Sequence, residues 1–234
     1  MTEMKSPHPE EKHKSQRSNW LRASILGVDD GIVSTSSIMV GVLAAQADYA
    51  IILTTGIASL VAGALSMAVG EYVSVSSQRD SELADIAIER RALQNNPEGE
   101  LAELANIYES RGLDKELALT VARQLQSRDA VEAHARDELG ISTRMRAHPI
   151  QAAGASALSF AIGSSVPIVA TILSKDSGAT ILIIASLVAL AIAGAIGASI
   201  GGGNKLVAGL RVFIGGGVAM AVTAFIGHLI GRIL

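Results

Sequence analysis

Five stretches of the chain lack the regular recurrence of charge that a water-facing helix shows, and each reaches the roughly 20 residues needed to cross a bilayer. The first, "SILGVDDGIVSTSSIMVGVLAA" (residues 24–45), is interrupted only by Asp29 and Asp30. The second, "YAIILTTGIASLVAGALSMAVG" (49–70), carries no charge, and residues 150–174 and 177–204 are free of Asp, Glu, Lys and Arg. The fifth, 206–231, holds only Arg211 and His228. These patterns predict membrane helices at about 22–46, 49–73, 149–173, 178–201 and 206–232. The small residues within the first two suit close helix–helix contact.

Between the second and third runs the pattern changes. Residues 78–146 show apolar positions at helical spacing, Leu83, Ile86, Ala87 and Leu93 among them, separated by acids and arginines. The second helix therefore continues out of the membrane as far as "NNPEG". Pro97 then opens a helix that stops at Gly112, Asp114 starts "DKELALTVARQLQ", and "SRDAVEAHARDELG" ends at Gly140. The expected fold class is all-α: a five-helix transmembrane bundle with a small cytosolic helical domain inserted between transmembrane helices 2 and 3. The division is 1–20, a disordered cytosolic tail; 21–77, helices 1 and 2; 78–146, the insert; and 147–234, helices 3 to 5.

Composition sharpens this division. Of 234 residues 49% are apolar and only 3% aromatic, and the insert concentrates 14 of the 22 acids and 10 of the 19 bases. A net charge of -3 gives no reason to expect nucleic acid as a partner, and the absence of cysteine excludes disulfides, thiolate metal sites and thiol catalysis. The polar N-terminus, with Pro7 and Pro9, has no apolar core ahead of a cleavage site and is not a signal peptide. Five Lys and Arg residues up to Arg22, ten in the insert and Lys205 in the last turn put these segments, and the N-terminus, on the cytoplasmic side.

The carboxylates supply the candidate chemistry. Asp29 and Asp30 fall roughly 10 Å into the first helix at 1.5 Å per residue, where a charge is costly unless it faces a partner or a wet path. A membrane boundary at Ile32, leaving the pair as an interfacial cap, is the plainer alternative. Met67 and Glu71 are four apart on one face of helix 2; a thioether beside a carboxylate suits a borderline first-row cation, although methionine also serves as packing filler. In the insert, Glu82, Asp85 and Glu89 form a stripe, Glu100 and Glu103 share a face, and His134 and Glu138 are one turn apart. Brought to a common centre they would suit Fe²⁺ or Mn²⁺; left apart they are an ordinary solvated acidic surface. No Glu-x-x-His pair occurs in the insert, so the di-iron bundle pattern is not met. The glycines of "GAIGASIGGGNK" lack the Lys-Ser/Thr of a phosphate loop and read as helix packing and a tight turn.

"DDGIVSTSSIMVGV" and "LVAGALSMAVGEYVSVSSQRDSE" together resemble the paired signature of the vacuolar iron transporter family, particularly its bacterial and nodulin-21-like branches, and the resemblance runs from Trp20 onward. It implies a homodimer in the lipid bilayer that exports Fe²⁺, and often Mn²⁺, from the cytosol in exchange for protons, with no permanently bound cofactor and no enzymatic activity. It also implies a transport pathway through Asp30, Met67 and Glu71, and metal ligands in the insert at Glu89, Glu100, Glu103 and Glu138. Departures from the pattern that the resemblance implies are Ala23 and Ser59, where some members carry acids, Ala92, on which a further domain glutamate falls, and His134, on which a methionine ligand position falls. His134 and Asp85 complete the expected ligand set from the residue spacing. Metal homeostasis and detoxification at a bacterial inner membrane is the expected role; a membrane-anchored metal buffer or sensor without transport is the alternative, and a membrane oxidoreductase lacks any haem, flavin or di-iron signature.

Overall fold

The structure is a computed structural model. It describes the backbone of residues 18–141, 148–174 and 178–233 and the side chains of 24–141, 148–174 and 179–233. Most of the expected N-terminal tail therefore lies outside the described residues, as does the end of the insert before Pro149. Seven helices follow in order: α1 (Ser18–Ala44), α2 (Tyr49–Asn95), α3 (Pro97–Ser110), α4 (Lys115–Asp137), α5 (Pro149–Leu173), α6 (Gly178–Gly201) and α7 (Lys205–Gly231). The all-α expectation holds, with no strand among the described residues. Five of the helices, α1, α2, α5, α6 and α7, are long and apolar enough to span a membrane, and the chain is an integral membrane protein.

The chain divides into two compact units, one comprising Met1–Glu71 with Ile150–Leu234 and the other Tyr72–Pro149. The division falls within α2, whose 47 residues are more than twice a spanning length.

In the first unit α1 and α5 are the most enclosed of the spanning helices, and α1 carries much of the buried core. Ile32, Thr35, Ser36, Met39 and Val40 are all nearly inaccessible, and Met39 and Val40 pack with Ile52, Ile168, Leu182 and Met220. Glycines allow its backbone to approach its neighbours. A methyl on Gly31 would run into the Phe160 carbonyl and the Ser164 amide of α5, one on Gly163 would strike the Val28 carbonyl, and one on Gly227 of α7 would strike the Gly41 carbonyl. Close approach through small residues is how helices associate in lipid, where water no longer drives apolar surfaces together. Hydroxyls complete the seam: Thr35 Oγ1 donates to Ser164 Oγ at 2.9 Å, Ser164 Oγ donates to the Gly31 carbonyl at 3.2 Å, and Ser59 Oγ of α2 lies 3.4 Å from Thr35 Oγ1. Ser59 thus joins a neutral hydroxyl group inside the bundle. Rows such as Ile57, Val61, Leu65 and Val69 on α2 remain exposed, as suits contact with lipid or another subunit.

In the second unit α3 and α4 pack through Leu104, Ala105, Ala122 and Ala133. The two helices expected between Asp114 and Gly140 form one element broken at Asp129, whose φ of -160° and ψ of 99° are extended. Its carboxylate accepts the Glu132 amide at 2.9 Å, so Asp129 restarts the helix as an N-cap. The stops expected at Gly112 and Gly140 are left-handed turns with φ of 101° and 69°, a conformation glycine adopts at little cost.

Candidate metal centre

Local sequence determines where each ligand is held. Asn96 caps α3 by accepting the Gly99 amide at 3.1 Å, and Pro97 follows at the first position, leaving Glu100 in the first turn. A carboxylate is electrostatically favoured at that end. The restart at Asp129 carries α4 on to His134 and to Glu138, its C-cap. Glu89 projects from the later part of α2, buried between exposed Ile88 and Arg90.

These elements bring one carboxylate oxygen each from Glu89, Glu100 and Glu138, and a ring nitrogen of His134, within 4.8 Å of one another. His134 is fully buried; its Nδ1 lies 3.1 Å from Glu89 Oε1, 3.1 Å from Glu138 Oε2 and 3.9 Å from Glu100 Oε2. The contact with Glu138 has hydrogen-bond geometry, whereas Glu89 Oε1, though equally close, is buried with no hydrogen-bond partner. A single Nδ1 proton serves one carboxylate and leaves the other short of a positive neighbour. His134 Nε2 is buried without a partner as well. Burial first, and then the charge of Glu138, push the Glu89 carboxyl above its ordinary value; His134 pulls the other way, and Glu100 and Glu103 add smaller upward pushes. A divalent cation would relieve both the repulsion and the orphaned oxygen. Three oxygens and one imidazole suit Fe²⁺, Mn²⁺ or Zn²⁺ better than Ca²⁺, which prefers an all-oxygen shell.

The other expected ligands stand apart from this group. Asp85 and Glu103 are exposed and lie outside the four-residue cluster; Glu103 acts on it only through its charge. In the membrane unit Asp30 is exposed, while Met67 and Glu71 are half-buried on α2. Asp29 is the more enclosed of the pair, with Oδ1 buried and unpartnered. Helical phase is the reason: Ile25 packs on Gly197 of α6 and Val33 near Gly216 of α7, and Asp29 lies between them on that face. Asp30, about 100° further round, points away from it.

Sequence reasoning passed over a second polar group in the insert. Asp137 accepts hydrogen bonds from Tyr108 Oη at 2.7 Å, Arg111 Nη1 at 2.9 Å and Arg136 Nη2 at 2.5 Å, and Arg111 Nη2 donates to the Asp137 carbonyl at 3.1 Å. Burial alone would push the Asp137 carboxyl up, but the three hydrogen bonds outweigh it and hold the group well below the usual carboxylate range. The available signal was a tyrosine and an arginine one turn apart near the end of α3, opposite an acid near the end of α4.

The model of the VIT family matches residues 21–228. The chain belongs to the VIT family. It is 46% identical over 223 residues to a protein of Acanthamoeba castellanii named vacuolar iron transporter, covering 94% of this chain and 82% of that one. It is 36% identical to vacuolar iron transporter homolog 2 of Arabidopsis thaliana (93% and 87% covered) and 33% identical to VIT-like transporter 1b of Glycine max (92% and 78%). The family match takes in the carboxylate–histidine cluster and all of the membrane helices except the first residues of α1 and the last of α7.

Proposed function

We propose that this VIT-family chain, a membrane metal transporter and not an enzyme, exports Fe²⁺, Mn²⁺ or both from the cytosol in exchange for protons. The observation that carries this reading is the convergence of Glu89, Glu100, His134 and Glu138, of which Glu89 and His134 are buried, with an unpartnered oxygen of Glu89 among them. On this reading the insert is cytosolic, as its Lys and Arg content supports, and collects the ion at the mouth of the pathway. The cation then passes Asp30, Met67 and Glu71, which hold it in a poorly polar setting. A proton taken up by a carboxylate as the cation leaves keeps the site close to neutral. Asp85 and Glu103 act from outside the cluster, attracting cations by charge.

The exposure of Asp30 beside Leu26 and Ile38 on α1 supports a homodimer whose second copy closes the path. The compact loops favour a bacterial inner membrane with a cytoplasmic N-terminus, while the relatives above are eukaryotic and mostly vacuolar by name; in both settings the ion leaves the cytosol. The role is metal homeostasis and detoxification.

The test is uptake of Fe²⁺ and Mn²⁺ by proteoliposomes of the full chain, with and without an imposed pH gradient. Gradient-dependent flux that Asp30→Ala abolishes, in a protein that still assembles, is expected. Ion binding by the insert with no flux under any gradient would leave the anchored buffer instead.

A further inference from the structure

We propose that Tyr108, Arg111 and Asp137 form a positioning clamp for the ion-binding cluster, setting the separation of Glu100 from His134 by fastening the end of α3 to the end of α4. The inference rests on the metal-binding reading and extends it to residues that touch no ion.

Glu100 belongs to α3, whereas His134 and Glu138 belong to α4, so the register of these two helices decides whether their ligand atoms can share a cation. The apolar contact between them centres on Leu104 and three alanines, with Leu101, Ile107, Leu119 and Leu125 packed around it. Apolar contact is non-directional, and the polar group at the far end adds a directional restraint. Asp137, with a side chain only 8% exposed, joins Tyr108 and Arg111 of α3 through its carboxylate, and Arg111 also bonds its backbone carbonyl. The Arg111 guanidinium lies 5.3 Å from the centre of the Tyr108 ring, which fixes the direction of the fork. Asp137 directly precedes Glu138 and sits almost a turn beyond His134, so the clamp grips α4 where its ligands are.

Glu100 is the ligand most sensitive to this restraint, its oxygen standing at 3.9 Å from His134 Nδ1 where the other two stand at 3.1 Å. Tyr108 lies roughly 12 Å beyond Glu100 along α3 at 1.5 Å per residue, so a tilt of about 5° moves Glu100 by about 1 Å. With metal–ligand bonds of about 2.1 Å, adjacent ligand atoms stand about 3 Å apart and opposite ones about 4.2 Å. A further 1 Å removes Glu100 from the shell, leaving Glu89, His134 and Glu138.

The test uses the full-length protein in detergent with Co²⁺ as the probe, reading affinity and the visible absorption that reports coordination. Binding at the cluster is defined as the signal lost in Glu89→Gln. Tyr108→Phe removes one hydroxyl from the clamp, Glu100→Gln provides the reference for a lost ligand, and Ala122→Gly loosens the same helix pair without touching the polar group. Tyr108→Phe is expected to weaken Co²⁺ binding about tenfold, as outer-shell substitutions do, and to shift the spectrum towards that of Glu100→Gln. Ala122→Gly should keep the wild-type spectrum despite a lower unfolding temperature. Wild-type affinity and spectrum in Tyr108→Phe, or the same spectral change in Ala122→Gly, would overturn the clamp while leaving the metal site intact. Failure of the wild-type protein to show any Glu89-dependent Co²⁺ signal would remove the metal-binding reading itself, and the clamp with it.

Discussion

Replacing Glu89 with glutamine should make the ion-free insert more resistant to opening while abolishing its response to metal. The side chain is 7% exposed, and its ligand oxygen lies within 4.8 Å of those of Glu100 and Glu138. Two unit charges at 4.8 Å repel by about 0.9 kcal/mol in bulk water and by about 3.5 kcal/mol at an effective dielectric of 20. Above neutral pH, relief from one such neighbour outweighs the attraction lost towards His134, and the glutamine amide can donate to a remaining carboxylate. A net gain of about 1 kcal/mol is expected, roughly a fivefold slowing of exchange. The assay is hydrogen exchange of peptides from α3 and α4 in the full-length protein at pH 8, without metal and with saturating Mn²⁺. Wild-type exchange should slow on adding Mn²⁺, and that of Glu89→Gln should not. The pH dependence has a defined sign. Because burial and then Glu138 raise the folded-state value of Glu89, the folded state binds more protons between the unfolded and folded values. Wild-type stability from this group therefore declines as pH rises through that window, and the variant lacks the decline. Faster exchange in metal-free Glu89→Gln, or an unchanged pH slope, would refute the electrostatic account.

Two further outcomes follow from other parts of the structure. The Asp137 carboxyl is held below its ordinary range by Arg136, Arg111 and Tyr108, so its contribution is complete above the unfolded value of about 4 and is lost as pH falls below it; a wild-type α3–α4 exchange profile flat from pH 5 to pH 3 would contradict this. In the membrane unit, Gly163→Ala places a methyl against the Val28 carbonyl and should destabilise the bundle by about 1–3 kcal/mol, read as a lower unfolding temperature in detergent; an unchanged midpoint would mean that α1 and α5 separate freely.

The membrane helices were legible because an apolar run of spanning length has few other uses, and α3 was legible because Asn96 and Pro97 mark its start. The break at Asp129 was legible as a change of helix, from the Ser-Arg-Asp segment, though the extended geometry at one residue was not. Four of the six residues expected as insert ligands converge. Spacing along one helix places Asp85 one turn from Glu89 and Glu103 one turn from Glu100, but it cannot say which member of each pair faces the neighbouring helix. That choice is made by packing, which turns Glu89 and Glu100 inward. The same limit applies to Asp29 and Asp30: their adjacency guarantees different directions, and only contact with α6 and α7 shows which is enclosed. The Tyr108–Asp137 contact spans elements far apart in sequence and leaves no periodic trace.

The glycine contacts of α1 bear on how this sequence can vary. A hydropathy scale treats glycine and alanine as near equivalents in lipid, yet at Gly31, Gly163 and Gly227 the space for one methyl is already taken by a backbone atom of the facing helix. Substitution at any of them requires a compensating displacement of a whole helix, which no single change elsewhere can supply. Sequence drift is therefore closed at the seams where the helix that carries the paired aspartates meets α5 and α7.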